Sequence, residues 1–467
     1  MTSLVWLRQD LRIDDNPALA TAMKTGPTIA LYIYDTSGPW PPGGASRWWL
    51  HHSLAALRTD LLKIGVPLVL RKGKTAAVLD DVVKQSGATH VFWNRCYEPA
   101  AIARDKDIKT DLTERGLHVE SFNAALLHEP WTVQTQTGGF YKVYTPFSKA
   151  CMAKGPPDAP LVAPKKQAAP PAPAGDDLDS WGLLPSKPDW AKGFDAWKPG
   201  SAGALQRLHE FIDGILKNYA IGRDRPDHDF TSRLSPHLHF GEISPRQVWH
   251  AVSHAAHDAN SEKYLKELLW REFAYHLLFH LPHMPEKPLN GNFADFPWQP
   301  DAKLLRAWQK GQTGYPIVDA GMRQLWQTGW MHNRVRMIVA SLLVKHLLQP
   351  WQKGEAWFWD TLVDADLANN AASWQWVAGC GADAAPYFRI FNPTTQGEKF
   401  DPNGDYVRAW VPEIAALPND YIHQPWAAPG DVLKKAGIAL GKTYPAPIVD
   451  HKAGRERALA ALKEAKG

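Results

Sequence analysis

Cysteine is scarce in this chain, and long apolar runs are missing. Three cysteines, Cys96, Cys151 and Cys380, lie far apart in 467 residues. This odd number excludes a disulfide framework and any zinc or iron–sulfur site built from cysteine alone, and it suits a reducing compartment. The longest uncharged apolar stretch, Met337 to Val344, is too short to cross a bilayer, and charges begin too early for a signal peptide. We therefore expect a soluble protein of the cytoplasm with no membrane partner.

Charge of one sign is not in excess either. Lys and Arg number 52 against 48 Asp and Glu, a net charge of +4 that identifies no partner. The chain is 45% hydrophobic and 21% charged, which excludes a disordered protein. Tryptophan is what the chain has in surplus, with 22 residues, thirteen of them from Trp249 onward. Ordinary core packing and a functional use of these rings are both open at this point.

Residues 1–130 alternate short β-branched runs with longer amphipathic ones, which predicts an α/β domain with a doubly wound parallel sheet. Predicted helices lie at about 46–64, 75–86 and 100–115. The first turn of this Rossmann-like domain reads Arg8-Gln9-Asp10-Leu11-Arg12, so the glycine-rich dinucleotide fingerprint is absent. The predicted strands are Leu4–Leu7, Thr28–Tyr34, Pro67–Leu70, His90–Trp93 and His118–Phe122.

Residues 131–200 are predicted as a long interdomain linker, because seven prolines fall between Pro156 and Pro173. Strand signals nearly vanish after it, so residues 201–467 are predicted as an all-helical domain. Ser235-Pro236 and Ser244-Pro245 each place a capping hydroxyl before a proline at a helix start. Further helices are predicted at Tyr264–Leu281, Ala320–Trp326 and His332–Leu348.

Two segments of this second domain suit a ligand with a phosphate and a flat ring. The run 231–235 places three hydroxyls and a guanidinium before a helix start, which suits a phosphate or pyrophosphate; plain capping is the alternative. Glu267 and Trp270 share a helix face, with Arg271 four residues after the glutamate. A carboxyl beside an aromatic ring is a platform for a planar heterocycle; a surface ion pair beside a core tryptophan is the alternative.

Two later segments add an arginine and a pair of carboxylates. Asn333, Arg336 and Met337 share one helical face. The run Asp364-Ala365-Asp366 is an Asp-x-Asp pattern that can hold a divalent metal, as in sugar transferases. The two upstream arginines, Arg334 and Arg336, offer ion-pair partners instead. The residues alone do not choose between a metal-dependent transferase and a metal-free site.

Taken together, these segments resemble the DNA photolyase/cryptochrome family of flavoproteins over almost the whole chain. Val5–Arg12 with Asn16-Pro17 is similar to the family's opening strand and turn. Trp308–Asp319 followed by Gly329–Arg334 is similar to its central signature, and Tyr387–Gln396 to its C-terminal one. The resemblance implies an FAD folded into a U within the helical domain, which accounts for the missing fingerprint.

The same resemblance implies which residues hold the FAD. Arg336 and Asp364 correspond to an ion pair beside the isoalloxazine, Asp366 to its polar edge, and Asn370 to the position against flavin N5. Asn at that position is typical of photolyases, whereas plant-type cryptochromes usually carry Asp. The remaining implied contacts to the phosphates, ribityl chain and ring are Tyr219, Thr231, Ser232, Arg233, Leu234, Ser235, Arg271, Asn333 and Ala365.

Glu267 and Trp270 resemble the lesion pocket of photolyases. The implied reaction is an electron transfer from photoexcited reduced FAD to a flipped-out cyclobutane pyrimidine dimer in single- or double-stranded UV-damaged DNA. Glu267 then stabilises negative charge on the 5′ base. Enzymes that repair (6-4) photoproducts carry a histidine pair here, which this sequence lacks. The implied DNA contacts are Glu267, Trp270, Arg271, Asn333, Arg334, Met337 and Trp376.

Three tryptophans, Trp298, Trp351 and Trp374, match the chain of rings that carries electrons to the flavin in this family. Together with Glu267 and Asn370 they form the predicted catalytic set. Trp357 and Trp359 are interpreted as a side branch of the electron route or as core residues.

The antenna chromophore of the family is the least defined expectation. Gly44–Leu50 is similar to plant cryptochromes, which indicates the class III cyclobutane-dimer photolyases. Ala100-Ala101 replaces the Asn-Glu pair that binds folate in enterobacterial photolyases. A methenyltetrahydrofolate is favoured over an 8-hydroxy-deazaflavin, without assigned residues.

We expect a monomeric photolyase without a metal, associated with the nucleoid if the source is prokaryotic. The competing hypothesis is a cryptochrome-type blue-light receptor without repair activity. Glu267, Trp270 and Asn370 stand against that hypothesis.

Overall fold

The N-terminal part of the chain folds around a five-stranded parallel sheet in the computed structural model, which describes residues 2–384 and 388–466. The strand order is β3-β2-β1-β4-β5, so the direction of winding reverses between β1 and β4. Every neighbouring pair is parallel, which confirms the predicted doubly wound sheet. The strands are β1 Thr2–Leu7, β2 Thr28–Tyr34, β3 Leu68–Lys72, β4 Ala88–Asn94 and β5 His118–Phe122.

Apolar side chains cover both faces of this sheet, as a parallel sheet between helices requires. Leu4 and Trp6 of β1 point into one core, and Val5 and Leu7 point into the other. The first of the flanking helices was not predicted; Asn16 caps it by accepting from the backbone N–H of Leu19. The helices are α1 Pro17–Thr25, α2 Gly44–Lys63, α3 Thr75–Ser86 and α4 Pro99–Glu114.

The range predicted as linker contains one α-helix, two short 3-10 helices and a long extended stretch. Helix α5, Tyr144–Ala153, packs against a central helix of the second domain. The proline-rich stretch then follows the surface of the α/β domain, where the backbone N–H of Gln167 donates to the carbonyl of Ile64 at 3.1 Å. The N–H of Asp176 likewise donates to the carbonyl of Leu70 at 2.7 Å.

The second part of the chain is helical, as predicted. Its longest helix has an Asp258 cap that accepts from two backbone N–H groups. Helices in order are α6 Ser201–Glu210, α7 Tyr219–Gly222, α8 Ser235–Phe240, α9 Pro245–Ala255, α10 Ala259–His280, α11 Ala302–Gln309, α12 Pro316–Thr328, α13 Asn333–Ser341, α14 Trp351–Thr361, α15 Leu367–Ala378, α16 Pro393–Phe400, α17 Asp405–Trp410, α18 Asn419–Ile422, α19 Gly430–Lys435 and α20 His451–Lys466.

Two predicted details of these helices have different outcomes. The Ser244 cap is confirmed, because its hydroxyl accepts from the N–H of Gln247 at 3.0 Å. The predicted Ser235 cap is wrong. Leu234 occupies the N-cap position of α8, and the Ser235 hydroxyl donates to the carboxylate of Asp364, just before α15. The helix predicted at His332–Leu348 is α13 followed by a π-helical turn at Leu342–His346.

The two parts meet at the carboxyl end of β1. The N–H of Leu11 donates to the carbonyl of Phe240 at 3.1 Å, and the buried Arg12 donates to the carbonyl of Gly241 at 2.9 Å. Gly241 has a φ of +66°, and a Cβ there would lie 2.0 Å from the carbonyl of Gln9, so only glycine allows this approach. Across the described ranges, no helix is long and apolar enough to cross a membrane.

Candidate functional site

An ion pair joins two of the predicted site segments. Arg336 of α13 donates to both oxygens of Asp364, at 2.8 and 3.1 Å, and its Nε donates to the carbonyl of Met331. The Ser235 hydroxyl donates to the same carboxylate at 2.6 Å. Asp364 is buried, and these two partners satisfy its carboxylate oxygens. The run 231–235, the α13 segment and the Asp-x-Asp run therefore converge on one carboxylate.

Asp366 collects donors from three helices. It caps α15 by accepting from Asn369, the Tyr275 hydroxyl of α10 donates to its other oxygen, and His239 Nδ1 of α8 lies 3.5 Å away. Burial by itself raises the pKa of Asp366, but the contacts with His239, Arg271 and Tyr275 outweigh burial and hold the pKa well below its usual range. Asp366 is therefore a carboxylate at neutral pH.

The hydroxyl-rich run 231–235 is held from behind by an arginine that the sequence did not single out. Arg207 of α6 donates to the carbonyls of Ser232 at 2.8 Å and Thr231 at 2.7 Å. Arg233 has a φ of +50°, a left-handed conformation that is rare outside glycine, and its guanidinium lies 4.9 Å from the Trp330 ring centre. These contacts fix the carbonyls of the run on one side, and the Ser232 hydroxyl accepts from the backbone N–H of Leu234 at 3.4 Å.

Helix α10 carries Glu267 beside a second arginine that was missed. Arg223 forms an ion pair with Glu267, and its guanidinium lies 5.7 Å above the ring of the buried Tyr219. Lys263, one turn earlier, lies 3.9 Å from the same carboxylate. The partly exposed carboxyl group of Glu267 therefore lies between two cationic side chains. Glu267 and Tyr219, predicted for lesion and cofactor, thus lie in one cluster.

Trp270 is exposed on one side and covered on the other. Its ring stacks on Tyr144 of α5 with ring centres 3.6 Å apart and planes within 6°. The Tyr144 hydroxyl donates to the carbonyl of Lys266 at 2.7 Å, which holds the lower ring of the stack in place. The side chain of Trp270 remains 36% exposed. An aromatic platform with one open face is the result.

The start of α13 forms the opposite side of this surface. Arg334 donates to Asp224 at 2.8 Å, lies 4.4 Å above the Phe400 ring, and contacts the sulfur of Met337 at 3.8 Å. Asn333 is exposed at the first position of the helix. Because Asp224 follows Arg223 directly, the two residues link Arg334 to Glu267 across the surface.

Two further predicted contacts have partners within the chain. Trp376 donates from Nε1 to the carbonyl of Asp383 at 3.2 Å, and Arg389 lies 5.7 Å from its ring centre. Arg271 donates to the carbonyl of Ala125 in the α/β domain at 2.8 Å and lies against Tyr275. Tyr387, at the start of the C-terminal signature, lies outside the described residues.

The three predicted chain tryptophans belong to one core. Trp351 and Trp374 are buried in it, and Trp298 packs against it. Gly354 of α14 allows Trp374 to approach, since a Cβ at this glycine would lie 2.0 Å from the ring. Trp308, which the sequence did not single out, meets Trp374 edge-on at 6.2 Å.

The two side-branch candidates lie elsewhere on α14. Trp357 stacks parallel to the half-exposed Trp326, with ring centres 6.0 Å apart. Trp359 meets Trp40 edge-on at 5.4 Å and donates to the carbonyl of Pro41.

Asn370 is anchored by its amide group. Its Nδ2 donates to the backbone carbonyl of Glu355 at 3.0 Å, which leaves Oδ1 as the atom available to a ligand. Ala365, between the two aspartates, is buried. The two carboxylates of the Asp-x-Asp run belong to separate hydrogen-bond networks. Within residues 2–384 and 388–466, no group of three or more His, Cys, Asp or Glu side chains is arranged to hold a metal ion.

Two of the residues missed from the sequence carry a weak signal. Arg223 and Asp224 occur in the charged run Gly222-Arg-Asp-Arg-Pro226 shortly after Tyr219, and a charged run beside a site residue was the available hint. Tyr144 sits in the range predicted as linker, where nothing in the sequence indicated a partner for Trp270. These hydrogen-bonding groups fit a nucleotide cofactor, because hydroxyls at a helix start lie beside a buried ion pair and a buried carboxylate with partners on three helices.

Two family models match the chain: DNA photolyase over residues 3–171, and the FAD binding domain of DNA photolyase over residues 264–464. The deoxyribodipyrimidine photo-lyase of Agrobacterium fabrum is 57% identical over 99% of this chain and 98% of that protein. Cryptochrome-1 of Arabidopsis thaliana is 43% identical over 99% of this chain and 70% of that protein. A class III photolyase structure from Agrobacterium tumefaciens superposes with a TM-score of 0.97 at 56% identity, covering 100% of this chain and 98% of that one.

The fold and the site define a two-part flavoprotein whose helical part is an FAD-binding domain. The chain belongs to the DNA photolyase/cryptochrome family, which confirms the resemblance and the class III expectation.

Proposed function

We propose that this protein repairs cyclobutane pyrimidine dimers in DNA in a light-dependent reaction, as a photolyase that uses reduced FAD. One observation carries the proposal: helix α10 joins the two halves of the machinery. Glu267 and the open face of Trp270 lie at one part of the helix, and Tyr275, two turns further on, binds the buried Asp366. A lesion held at Trp270 is thus linked by one rigid element to the flavin site.

Reduced FAD, when bound, would supply the electron for photoinduced transfer to the cyclobutane dimer. The hydroxyls of Thr231, Ser232 and Ser235 would hold its phosphates and ribityl chain, and the Arg336–Asp364 ion pair would lie beside the isoalloxazine. Asn370 would offer its Oδ1 to the isoalloxazine, since its Nδ2 donates to the backbone carbonyl of Glu355.

At the lesion, the Glu267 carboxyl group donates a hydrogen bond to the carbonyl of the 5′ base and stabilises the negative charge that develops on that base. Its ion pair with Arg223 keeps the carboxylate in place before DNA arrives. The exposed face of Trp270 stacks on the flipped dimer, and Trp376 closes on the other side.

Basic and polar groups surround these rings. Asn333, Arg334 and Met337 line the opposite wall, and Arg223 and Arg334 offer positive charge to the phosphates on both sides of the lesion. Arg271 positions α10 against the α/β domain through its bond to the carbonyl of Ala125. We propose that the protein acts as a monomer on single- and double-stranded DNA, in the cytoplasm or nucleoid.

For the antenna, we propose methenyltetrahydrofolate in preference to a deazaflavin. A nucleotide-like chromophore would suit the crevice between β1 and β4, where the winding of the sheet reverses. Here Arg8 occupies that crevice, paired with Asp105 at 2.7 Å and bonded to the carbonyl of Asn94. Gln9 donates to Glu98 at 2.7 Å beside it. Side chains of the protein itself therefore fill the crevice in which a nucleotide-like chromophore would bind.

The test is repair by the purified protein with chemically reduced flavin. Thymine dimers in single- and double-stranded oligonucleotides should disappear under near-UV or blue light and persist in the dark. Flavin binding without light-dependent loss of dimers would refute the repair function and favour the blue-light receptor, which the 43% identity to Arabidopsis cryptochrome-1 makes the second candidate. Mass analysis of released chromophores tests the folate.

A further inference from the structure

Glu355 is a buried acid on the inner face of α14. The residue is fully buried, and neither carboxyl oxygen has a hydrogen-bond partner among the residues that the structure describes. Burial raises the pKa of Glu355 to about 9, so the side chain is a neutral carboxylic acid at neutral pH. An unsatisfied buried polar group costs about 1–3 kcal/mol, so its presence calls for a role.

The backbone of Glu355 and its neighbours on α14 lie against residues of both the proposed flavin site and the proposed electron route. Its backbone carbonyl accepts from the Asn370 amide at 3.0 Å. Gly354, the preceding residue, is in contact with the ring of Trp374, and Trp351 lies one turn earlier on the same helix. One turn of α14 therefore contacts both the residue proposed to face the flavin and the tryptophan proposed to reduce it.

No charged neighbour accounts for the acid. Helix α15, the main packing partner of α14, carries no titratable side chain. Burial is the single cause of the raised pKa of Glu355. Two further elements pack on α14, the π-helical turn and α2. Their titratable groups do not contribute to the raised pKa of Glu355; they are Lys345, His346, Arg47, His51, His52, Arg58, Asp60 and Lys63.

We propose that Glu355 supplies the proton that the flavin takes up when it is reduced, an inference that rests on the proposed function. Conversion of FAD to its anionic reduced form consumes two electrons and one proton. The electrons come from an external thiol reductant through the tryptophans, and the proton leaves the Glu355 carboxyl. The carboxylate that remains recovers a proton from solvent. Asn370 cannot serve, because a carboxamide is not an acid at neutral pH.

The experiment follows the carboxyl group itself. Light-minus-dark infrared difference spectra of the flavin-loaded protein should show loss of a protonated carboxyl C=O band during photoreduction. The band should be absent in Glu355→Gln and present in Glu456→Gln, a control at an exposed glutamate of α20. Photoreduction in Glu355→Gln should be at least tenfold slower, with a changed solvent isotope effect.

Three outcomes overturn the proposal: no carboxyl band in the wild-type spectra, a band that survives in Glu355→Gln, or photoreduction of Glu355→Gln at the wild-type rate. If the Gln variant does not hold flavin, Glu355→Asp replaces it; the band must then shift in frequency, and an unshifted band refutes the assignment. Dimer repair by chemically reduced wild-type protein is scored separately, so a failure of the proposed function is distinguished from a failure of this inference.

Discussion

The stack of Tyr144 on Trp270 makes a prediction that the sequence alone does not suggest. With ring centres 3.6 Å apart, Tyr144 fixes the plane of Trp270 and leaves one face for a base of the lesion. An aromatic pair contributes about 0.5–1.5 kcal/mol beyond the area it buries. If Tyr144→Ala frees the indole, lesion affinity should fall roughly 2- to 10-fold. Tyr144→Phe keeps the ring, loses only the bond to the carbonyl of Lys266, and should bind within about twofold of wild type.

The assay is fluorescence anisotropy with a thymine-dimer oligonucleotide and its undamaged counterpart at one fixed salt concentration, because phosphate contacts depend on salt. Trp270→Ala should weaken lesion binding by roughly 5- to 150-fold, the loss of about 1–3 kcal/mol of base stacking. In the Trp270→Ala variant, the additional change Tyr144→Ala should cause no further loss of lesion affinity. Additive losses, or wild-type binding by Tyr144→Ala, would show that the tyrosine does not act through the tryptophan.

Three further predictions concern the flavin, its reduction and stability. Glu267→Gln should lower the repair yield several-fold with FAD retained; loss of FAD would mean that Glu267 is a cofactor contact. Trp351→Phe should slow photoreduction at least tenfold, a defect that chemical reduction bypasses; an unchanged rate would indicate another route, such as Trp359. Burial raises the pKa of Glu355 from 4.5 to about 9, so the folded chain keeps a proton that the unfolded chain releases, and stability falls as pH rises through this interval. The free energy of unfolding of the Glu355→Gln apoprotein should therefore increase relative to wild type as pH rises, by up to about 3 kcal/mol at pH 7. The measurement is Tm against pH, where the difference between the two proteins should grow; a constant difference would contradict the prediction.

Much of the fold could be predicted because it depends on local patterns. Alternation of apolar strands and amphipathic helices placed all five strands of the sheet within a few residues. Helix α1 was not predicted, because its nine residues are too few to show a clear apolar periodicity. Helix α5 was not predicted, because prolines dominate the range around it. The cap predicted at Ser235 failed for a tertiary reason: its hydroxyl bonds Asp364, a partner 129 residues away that no local pattern contains.

The candidate site divides in the same way. Family motifs named Glu267, Trp270, Arg336 and Asp364, but they did not reveal what lies beside them. Arg223 pairs with Glu267, and Arg207 holds the run 231–235 from behind, through contacts between distant parts of the chain.

Local sequence patterns were sufficient to identify the α/β part and the helical part, the absence of the dinucleotide fingerprint, and the family. Periodicity and motif spacing are properties of short segments. Three other features follow from the packing of distant segments: Trp270 has one open face, one turn of α14 touches both Asn370 and Trp374, and Glu355 is a neutral acid. The pKa of a carboxyl depends on how much water and charge surround it, and that environment exists only once distant helices pack together.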